Sequence, residues 1–377
     1  MKAVISAFAR TPFHFAKKGA LAEVRPDTLA AEVTKALVQR TGIDPLTLED
    51  VIAGCAYPEA AQGNNVARIA VLLAGLPHEV TGMTVNRFCG SSMSGIHIAA
   101  AQIEAGIGEA YLCIGVESMT MVPQGGLNFS PNPDLYAHSS AYISMGETAE
   151  NVANRYGISR ADQEQFALES HLKAAAARES GHFADEIVPI KLASGDVIAQ
   201  DGCIRPGTSL EALASLKPAF RPDGLVTAGT ASPLTDGASG VLVTTEEYAA
   251  RYGLQPSARI RSFATAGVDP AYMGMGPVPA TRKALERAGL SVADLDVVEI
   301  NEAFASQSLA CIRELGLKSS TINLDGGGIS IGHPLGATGA RITGKAASLL
   351  GRTGGRFALS TQCIGGGQGV ATVLERI

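Results

Sequence analysis

The chain has 377 residues, 46% of them hydrophobic and 18% charged, with a formal net charge of −6. That length and apolar content exclude a disordered chain and predict a large core, in one large domain or two to three smaller ones. The acidic balance excludes a general nucleic-acid binder, which needs a basic face, and an anionic small molecule would need a local cluster of cations to meet it.

Lys2–Ala9 reads as a strand and is too short for the apolar core of a secretory signal. Pro26-Asp27-Thr28 opens a helix with Leu29, Val33, Ala36 and Leu37 on one face, and Gly42 follows its end. Val51–Ala56 predicts a buried strand, and Asn64-Asn65 leads into a helix that stops at Gly75 and Pro77. Gly82–Val85 predicts a short strand. Ile96, Ile98, Ala99, Ala100 and Ile103 predict a helix ending at Gly106. Between them lies Asn86-Arg87-Phe88-Cys89-Gly90-Ser91-Ser92-Met93-Ser94-Gly95, so a cysteine falls where a strand turns into a helix. Ala110–Val116 is a continuous apolar run, with Cys113 a core residue inside it.

The texture changes near residue 120. Pro123, Gly125, Gly126, Pro131 and Pro133 break any periodicity as far as about 145, and loops of that length are usually functional. Two helices follow. The second opens on a capping box at Ser159–Asp162 and runs to about Ser180. Residues 185–190 predict a short strand. The loop-rich stretch 201–232 carries Arg205, Lys217 and Arg221, either a candidate anion site or scattered solvated charges.

From residue 236 the α/β texture returns. Val241–Val243 predicts a strand, and Pro279-Ala280-Thr281 a helix to Gly289. Asp296–Ile300 predicts a strand that delivers Asn301-Glu302-Ala303-Phe304-Ala305 at its C-terminal end, where ligands gather in layered folds. Thr321–Leu324 predicts a strand, Ala337 opens a helix to about Leu350, and Arg356–Thr361 and Val370–Leu374 predict strands around a glycine-rich turn. Strand and helix alternate throughout, which predicts a mixed, layered α/β architecture. Ser92–Val116 and Ala337–Ile364 share one order: small-residue turn, alanine-rich helix, apolar strand. Two similar halves with residues 120–232 inserted between them are therefore expected. No apolar stretch approaches the roughly 20 residues of a membrane helix.

Cysteines stand at 55, 89, 113, 203, 311 and 363. None forms a C-x-x-C pair, so zinc and thioredoxin-like sites have no support, and reduced thiols in a reducing, cytoplasmic setting are expected. At a helix N-terminus, free N–H groups and the dipole favour a thiolate at Cys89. Gly328–Gly336 places His333 in a glycine-lined turn before a helix. Gln362–Gly369 places Cys363 in a glycine-rich turn after a strand. Each alone is more often structural than chemical. Together they supply a nucleophile, a base to activate it, a thiol near the right pKa to carry a proton, and exposed N–H groups to hold an oxyanion. Those are the parts for making or breaking a carbon–carbon bond beside a thioester.

On these residues the sequence resembles the thiolase family, and the resemblance covers essentially the whole chain. Arg10-Thr11-Pro12 is similar to the family's opening. The Cys89 turn, Asn301-Glu302-Ala303-Phe304, Gly332-His333-Pro334 and Cys363-Ile364-Gly365-Gly366-Gly367 resemble its four catalytic motifs, in order. The resemblance implies an αβαβα sandwich of two halves, residues 1–119 plus about 233–258 and residues 259–377, with 120–232 as an inserted loop domain that binds CoA. It implies thiolytic cleavage of 3-ketoacyl-CoA, as in fatty-acid β-oxidation, with CoA as co-substrate, no permanently bound cofactor, no metal, and a homodimer or homotetramer. Cys89 would carry the acyl group, and His333 would activate it. Asn301 would hold a water at the enolate oxygen, Cys363 would move the proton at C2, and the N–H groups of Cys89 and Gly365 would face the acyl carbonyl. Arg205 would meet the nucleotide and Ser232 the pantetheine, with Met145, Met273 and Phe304 lining the channel. Ser144 stands where short-chain members carry histidine, which leans toward longer substrates. Gln368, Gly328 and Ser330 also depart from the common pattern. A short-chain biosynthetic thiolase and a non-catalytic acyl-CoA carrier are the alternatives; the carrier would lack Cys89 or His333, and both are present.

Overall fold

The structure is a computed structural model and describes residues 2–377. The chain opens with β1 (Ala3–Arg10), β2 (His14–Phe15), α1 (Pro26–Thr41), β3 (Asp50–Gly54), α2 (Val66–Leu73), β4 (Gly82–Val85), α3 (Ser91–Glu104) and β5 (Ala110–Ser118). A long excursion holds α4 (Pro133–His138), α5 (Met145–Tyr156), α6 (Arg160–Glu179), β6 (Ile190–Lys191), β7 (Val197–Ile198) and α7 (Leu210–Ala214). Then come β8 (Thr235–Thr245), α8 (Glu246–Arg251), β9 (Ala258–Gly267), α9 (Pro277–Ala288), β10 (Val297–Ile300), α10 (Ala305–Leu315), α11 (Gly328–Ile331), α12 (Thr338–Thr353), β11 (Phe357–Ile364) and β12 (Gln368–Glu375). Local signals set the ends. Proline stands in the first turn of α1 and Gly42 closes it at φ 63°, and Ser159 and Asp162 cap α6 reciprocally.

The main sheet has two similar parts. In the first, β4, β3 and β5 run parallel, followed by antiparallel β8 and β1. In the second, Ile322 bridges to β10 in parallel, β11 is parallel to β10, and antiparallel β12 and β9 follow. The parts join where β1 meets β9, over Val4↔Arg259 and Ile5↔Ala258. The join is short because each part is already a complete layer with its own helices.

Helices α3 and α12 pack on each other between the two parts. A side chain at Gly339 would run into Met93, so the glycine permits this close approach. Ile96, Ala100 and Ile103 of α3 share a core with Ile52, Cys113 and Val243 and with Ala346 and Leu350 of α12. On one outer face Leu29, Val33 and Leu37 of α1 cover Val51, Leu112, Ile114 and Leu242. On the other, Val278 and Leu285 of α9 cover Ile300, Leu359 and Val373. β5 is buried along its whole length, as a strand covered on both faces must be.

The repeat also places the excursion. β5 and β8 are antiparallel neighbours, as β11 and β12 are. In the second part Gly365–Gly367 alone link the pair, whereas in the first part residues 119–234 do so. Ion pairs fasten that insertion to the layers. Buried Arg10 donates to Asp201 at 2.7 and 2.8 Å and to Glu186 at 2.7 Å. Lys345 of α12 reaches Glu186 at 3.0 Å and Asp325 at 2.7 Å.

Two sequence expectations need correction, and one strand has no counterpart among them. Residues 185–190 do not form a strand: the short strand there is β6, at Ile190–Lys191, and Ile187 makes only an isolated bridge to Arg10. Thr321–Leu324 reduces to a single bridge at Ile322, because Asn323 takes φ +43° and bends the chain. β9 is an element the sequence analysis does not name. Its alternating burial from Ala258 onward hides it among charged residues.

Candidate active site

The internal repeat brings the chemistry together. Cys89 lies in the connection before α3, and His333 lies in the equivalent connection before α12. Because α3 and α12 are packed side by side, both residues reach one cavity. Cys363 joins them from the end of β11, at the turn Gly365–Gly367. The cavity measures about 910 Å³ and is lined by Cys89, His333, Cys363, Gly365, Met145, Met273, Phe304, Arg205 and Ser232, among others.

Cys89 sits on a bent turn. Phe88 before it has φ +44°, a region that non-glycine residues seldom occupy, and such strain concentrates at functional sites. The Gln362 side-chain amide donates to the Cys89 carbonyl and ties this turn to β11. Burial pushes the Cys89 thiol up to about 12, and the Glu117 carboxylate adds to the rise. The N–H groups of Gly365 and of Cys89 itself oppose it.

His333 is buried, and burial, with Arg341 nearby, holds its pKa down to about 3. It is a neutral imidazole at ordinary pH, free to accept a proton. Its backbone N–H donates to Thr235 Oγ1 at 3.0 Å, and its Nδ1 lies 2.6 Å from Thr338 Oγ1. If Nδ1–H donates to that hydroxyl, Nε2 is left as the basic nitrogen. Asn301 is fully buried behind the ring rather than on the cavity wall. Its Nδ2 is nearly equidistant from both ring nitrogens, at 3.3 and 3.4 Å, and its Oδ1 has no hydrogen-bond partner among the described residues. The Cys363 thiol is buried and raised well above its ordinary value, first by desolvation and then by Cys89 and Cys311.

No sequence motif marks Glu117, which supports the turns on both sides of the site. Glu117, at the end of β5, is fully buried. It accepts from the backbone N–H groups of Ala56 at 2.8 Å, Tyr57 at 3.2 Å and Gly336 at 2.9 Å, and from Gln62 Nε2 at 2.8 Å. One carboxylate thus pins the loop beside Cys89 to the turn after His333. The basic cluster does not assemble. Arg205 lines the cavity with its guanidinium 5.1 Å from the Phe15 ring centre, but Arg221 is paired with Glu147 and Asn151, and Lys217 is exposed outside the cavity. Ser144 caps α5, accepting the Glu147 N–H at 3.3 Å. Among the described residues no His, Cys, Asp and Glu cluster is placed to hold a metal ion, and no helix is long and apolar enough to cross a membrane.

Comparison with known proteins gives one answer. Residues 3–247 match the family model described as the thiolase N-terminal domain, and residues 254–376 match the thiolase C-terminal domain. A 3-ketoacyl-CoA thiolase of Saccharophagus degradans is 48% identical over 385 residues, covering 99% of this chain and 98% of that protein. One of Shewanella denitrificans is 50% identical over 387 residues, covering 100% of both. The crystal structure of the Bacillus anthracis acetyl-CoA acetyltransferase superposes with a TM-score of 0.92 at 42% identity, covering 100% of this chain and 99% of that one.

Proposed function

The chain belongs to the thiolase family, and we propose how its own side chains divide the work of an acyltransferase that cleaves 3-ketoacyl-CoA with CoA. The products are acetyl-CoA and an acyl-CoA shortened by two carbons. The reaction is reversible, since both directions share one carbanion and one thioester.

In this proposal His333 Nε2 takes the proton of the Cys89 thiol as sulfur attacks the 3-keto carbon. The C2–C3 bond breaks, its electrons pass to C2 and the neighbouring thioester oxygen, and Cys363 delivers a proton to C2. His333 faces the enolate oxygen, together with a water held by Asn301. The acyl group stays on Cys89 with its carbonyl oxygen toward the N–H groups of Cys89 and Gly365. Losing one such donor typically costs about 10²–10³ in rate. CoA then attacks the acyl thioester and gives its thiol proton to the Cys363 thiolate, while the Cys89 sulfur leaves, recovers its proton from His333 and frees the shortened product. Residues 120–232 would form the CoA-binding unit between halves 1–119 plus about 233–258 and 259–377, with Arg205 toward the nucleotide and Ser232 toward the pantetheine. Met145, Met273 and Phe304 would line the channel. CoA enters as co-substrate, no resident cofactor takes part, and the molecule acts in the cytoplasm as a dimer or tetramer of like chains.

One observation carries this assignment: Cys89, His333 and Cys363 share one cavity, which Gly365 also lines. Mixing the protein with CoA and a 3-ketoacyl-CoA and following the loss of substrate absorbance tests it. Cys89→Ser should remove turnover, because a hydroxyl is far less acidic than a thiol. Near-normal rates in that variant would defeat the assignment.

A further inference from the structure

Among the described residues only two charged side chains line the cavity, Glu59 and Arg205, since His333 is held neutral. They lie on different loops, Glu59 between β3 and α2 and Arg205 between β7 and α7. Arg205 lies over Phe15, and Pro233 and Ala228 line the cavity near it. An aromatic wall begins at Cys89. Phe88, the residue before it, contacts Tyr57 with ring centres 5.9 Å apart. Phe129 and Tyr142, on the excursion, meet edge to face at 5.9 Å. Glu59 fastens these pieces together. One carboxylate oxygen accepts the Leu127 N–H at 2.7 Å, and the other lies where a Gly126 side chain would stand. The carboxylate is therefore fixed under the turn that leads to Phe129, and it makes no ion pair among the described residues.

We propose that this aromatic wall takes an uncharged, apolar acyl chain or ring, and that Glu59 turns away acyl groups ending in a carboxylate. The inference rests on the assignment of the cavity to 3-ketoacyl-CoA thiolysis. An apolar chain running from Cys89 along Phe88, Tyr57, Phe129 and Tyr142 leaves water for aromatic surface at no electrostatic cost. A terminal carboxylate would lose its hydration, find no cation, and face a like charge. Ser144 does not offset this, because its hydroxyl is already used in capping α5.

The test compares kcat/KM for thiolysis of a medium-length straight-chain 3-ketoacyl-CoA with that of its ω-carboxylated counterpart, with acetoacetyl-CoA as a third substrate. The wild type should favour the apolar substrate by about 100-fold. Glu59→Gln keeps an acceptor for the Leu127 N–H and should narrow that ratio about tenfold. Phe129→Arg, which puts a cation on the same wall, should narrow it as well. Equal use of the two substrates by the wild type overturns the proposal, whatever the variants do. So does a ratio that Glu59→Gln leaves unmoved. Turnover of acetoacetyl-CoA alongside either result confines the failure to the acyl wall. Absence of turnover with all three substrates defeats the thiolysis assignment, and this proposal with it.

Discussion

Cys89 and His333 meet as neutral partners, a thiol pushed up to about 12 and an imidazole held down to about 3. Such a pair does not waste itself as a resting thiolate–imidazolium; the proton moves when a substrate carbonyl is there to take the sulfur's electrons. Cys363 is a deeper thiol whose pKa lies well above the ordinary range, which suits a group that must arrive with its proton attached. Cys363→Ser should therefore still accept an acetyl group on Cys89, yet slow full turnover by about 10²–10⁴. Loss of acylation as well as turnover in that variant would contradict a pure proton-carrying role. These three residues were legible in the sequence because each sits in a short motif that states its own turn chemistry. Their supports were not. Thr338 meets His333 only because the turn at Leu335–Ala337 folds the helix start back onto the ring. Glu117 reads as one more residue at the end of an apolar strand until the loops it pins are seen together.

At the scale of elements, the Gly365–Gly367 turn does most to fix the geometry, because it sets both Cys363 and the Gly365 N–H. Gly366 and Gly367 have φ of 77° and 80°, and a side chain at Gly367 would meet the Val268 carbonyl and Pro270. Gly367→Ala should cost at least about 1–2 kcal/mol from the left-handed backbone alone, and a larger share of activity, since the displaced turn holds Gly365, the proposed oxyanion donor, at the cavity. Thermal unfolding and thiolysis rates measured on the same sample check this; full activity at unchanged stability would contradict it. Most elements were readable from apolar runs and caps, and α6 is the clearest case, with a capping box at one end. The failures share a cause. β9 alternates charged and apolar residues over a half-covered face, and the strand expected at 321–324 is cut short by the backbone of Asn323. Neither depends on composition alone. The basic cluster also failed, because Arg221 finds Glu147 across the fold, a partner that spacing along the chain does not reveal.

Across the whole molecule, two similar layers face each other, and their central helices bring Cys89 of one and His333 of the other to one cavity. Burying that arrangement has a cost at low pH. His97 and His333 are held at about 3 and His171 at about 4, all mainly by burial. Their folded values lie below the unfolded value near 6.5, so the unfolded chain binds more protons in that window, and stability present above it is lost as pH falls. Each contributes a loss of about 1.4 kcal/mol per pH unit until its folded value is reached. Asp325, lowered to about 2 chiefly by Arg352 and Lys345 against the opposing effect of burial, adds a further loss below the ordinary carboxylate range. Burial raises the Glu117, Glu299 and Glu302 carboxyls, which works the other way over the same range, so in urea unfolding a His97→Asn variant should lose less stability than the wild type between about pH 6.5 and about pH 4.5, and equal losses would contradict neutral burial of that imidazole. The central claim, that Cys89 carries the acyl group in a site completed by His333 and Cys363, is tested most directly by mass spectrometry of the protein mixed with acetyl-CoA and digested after an acid quench. The expected result is one acetyl group on the peptide containing Cys89, absent from the Cys89→Ser variant. An acetyl group on Cys363 instead, or none on the wild-type protein, would contradict the account.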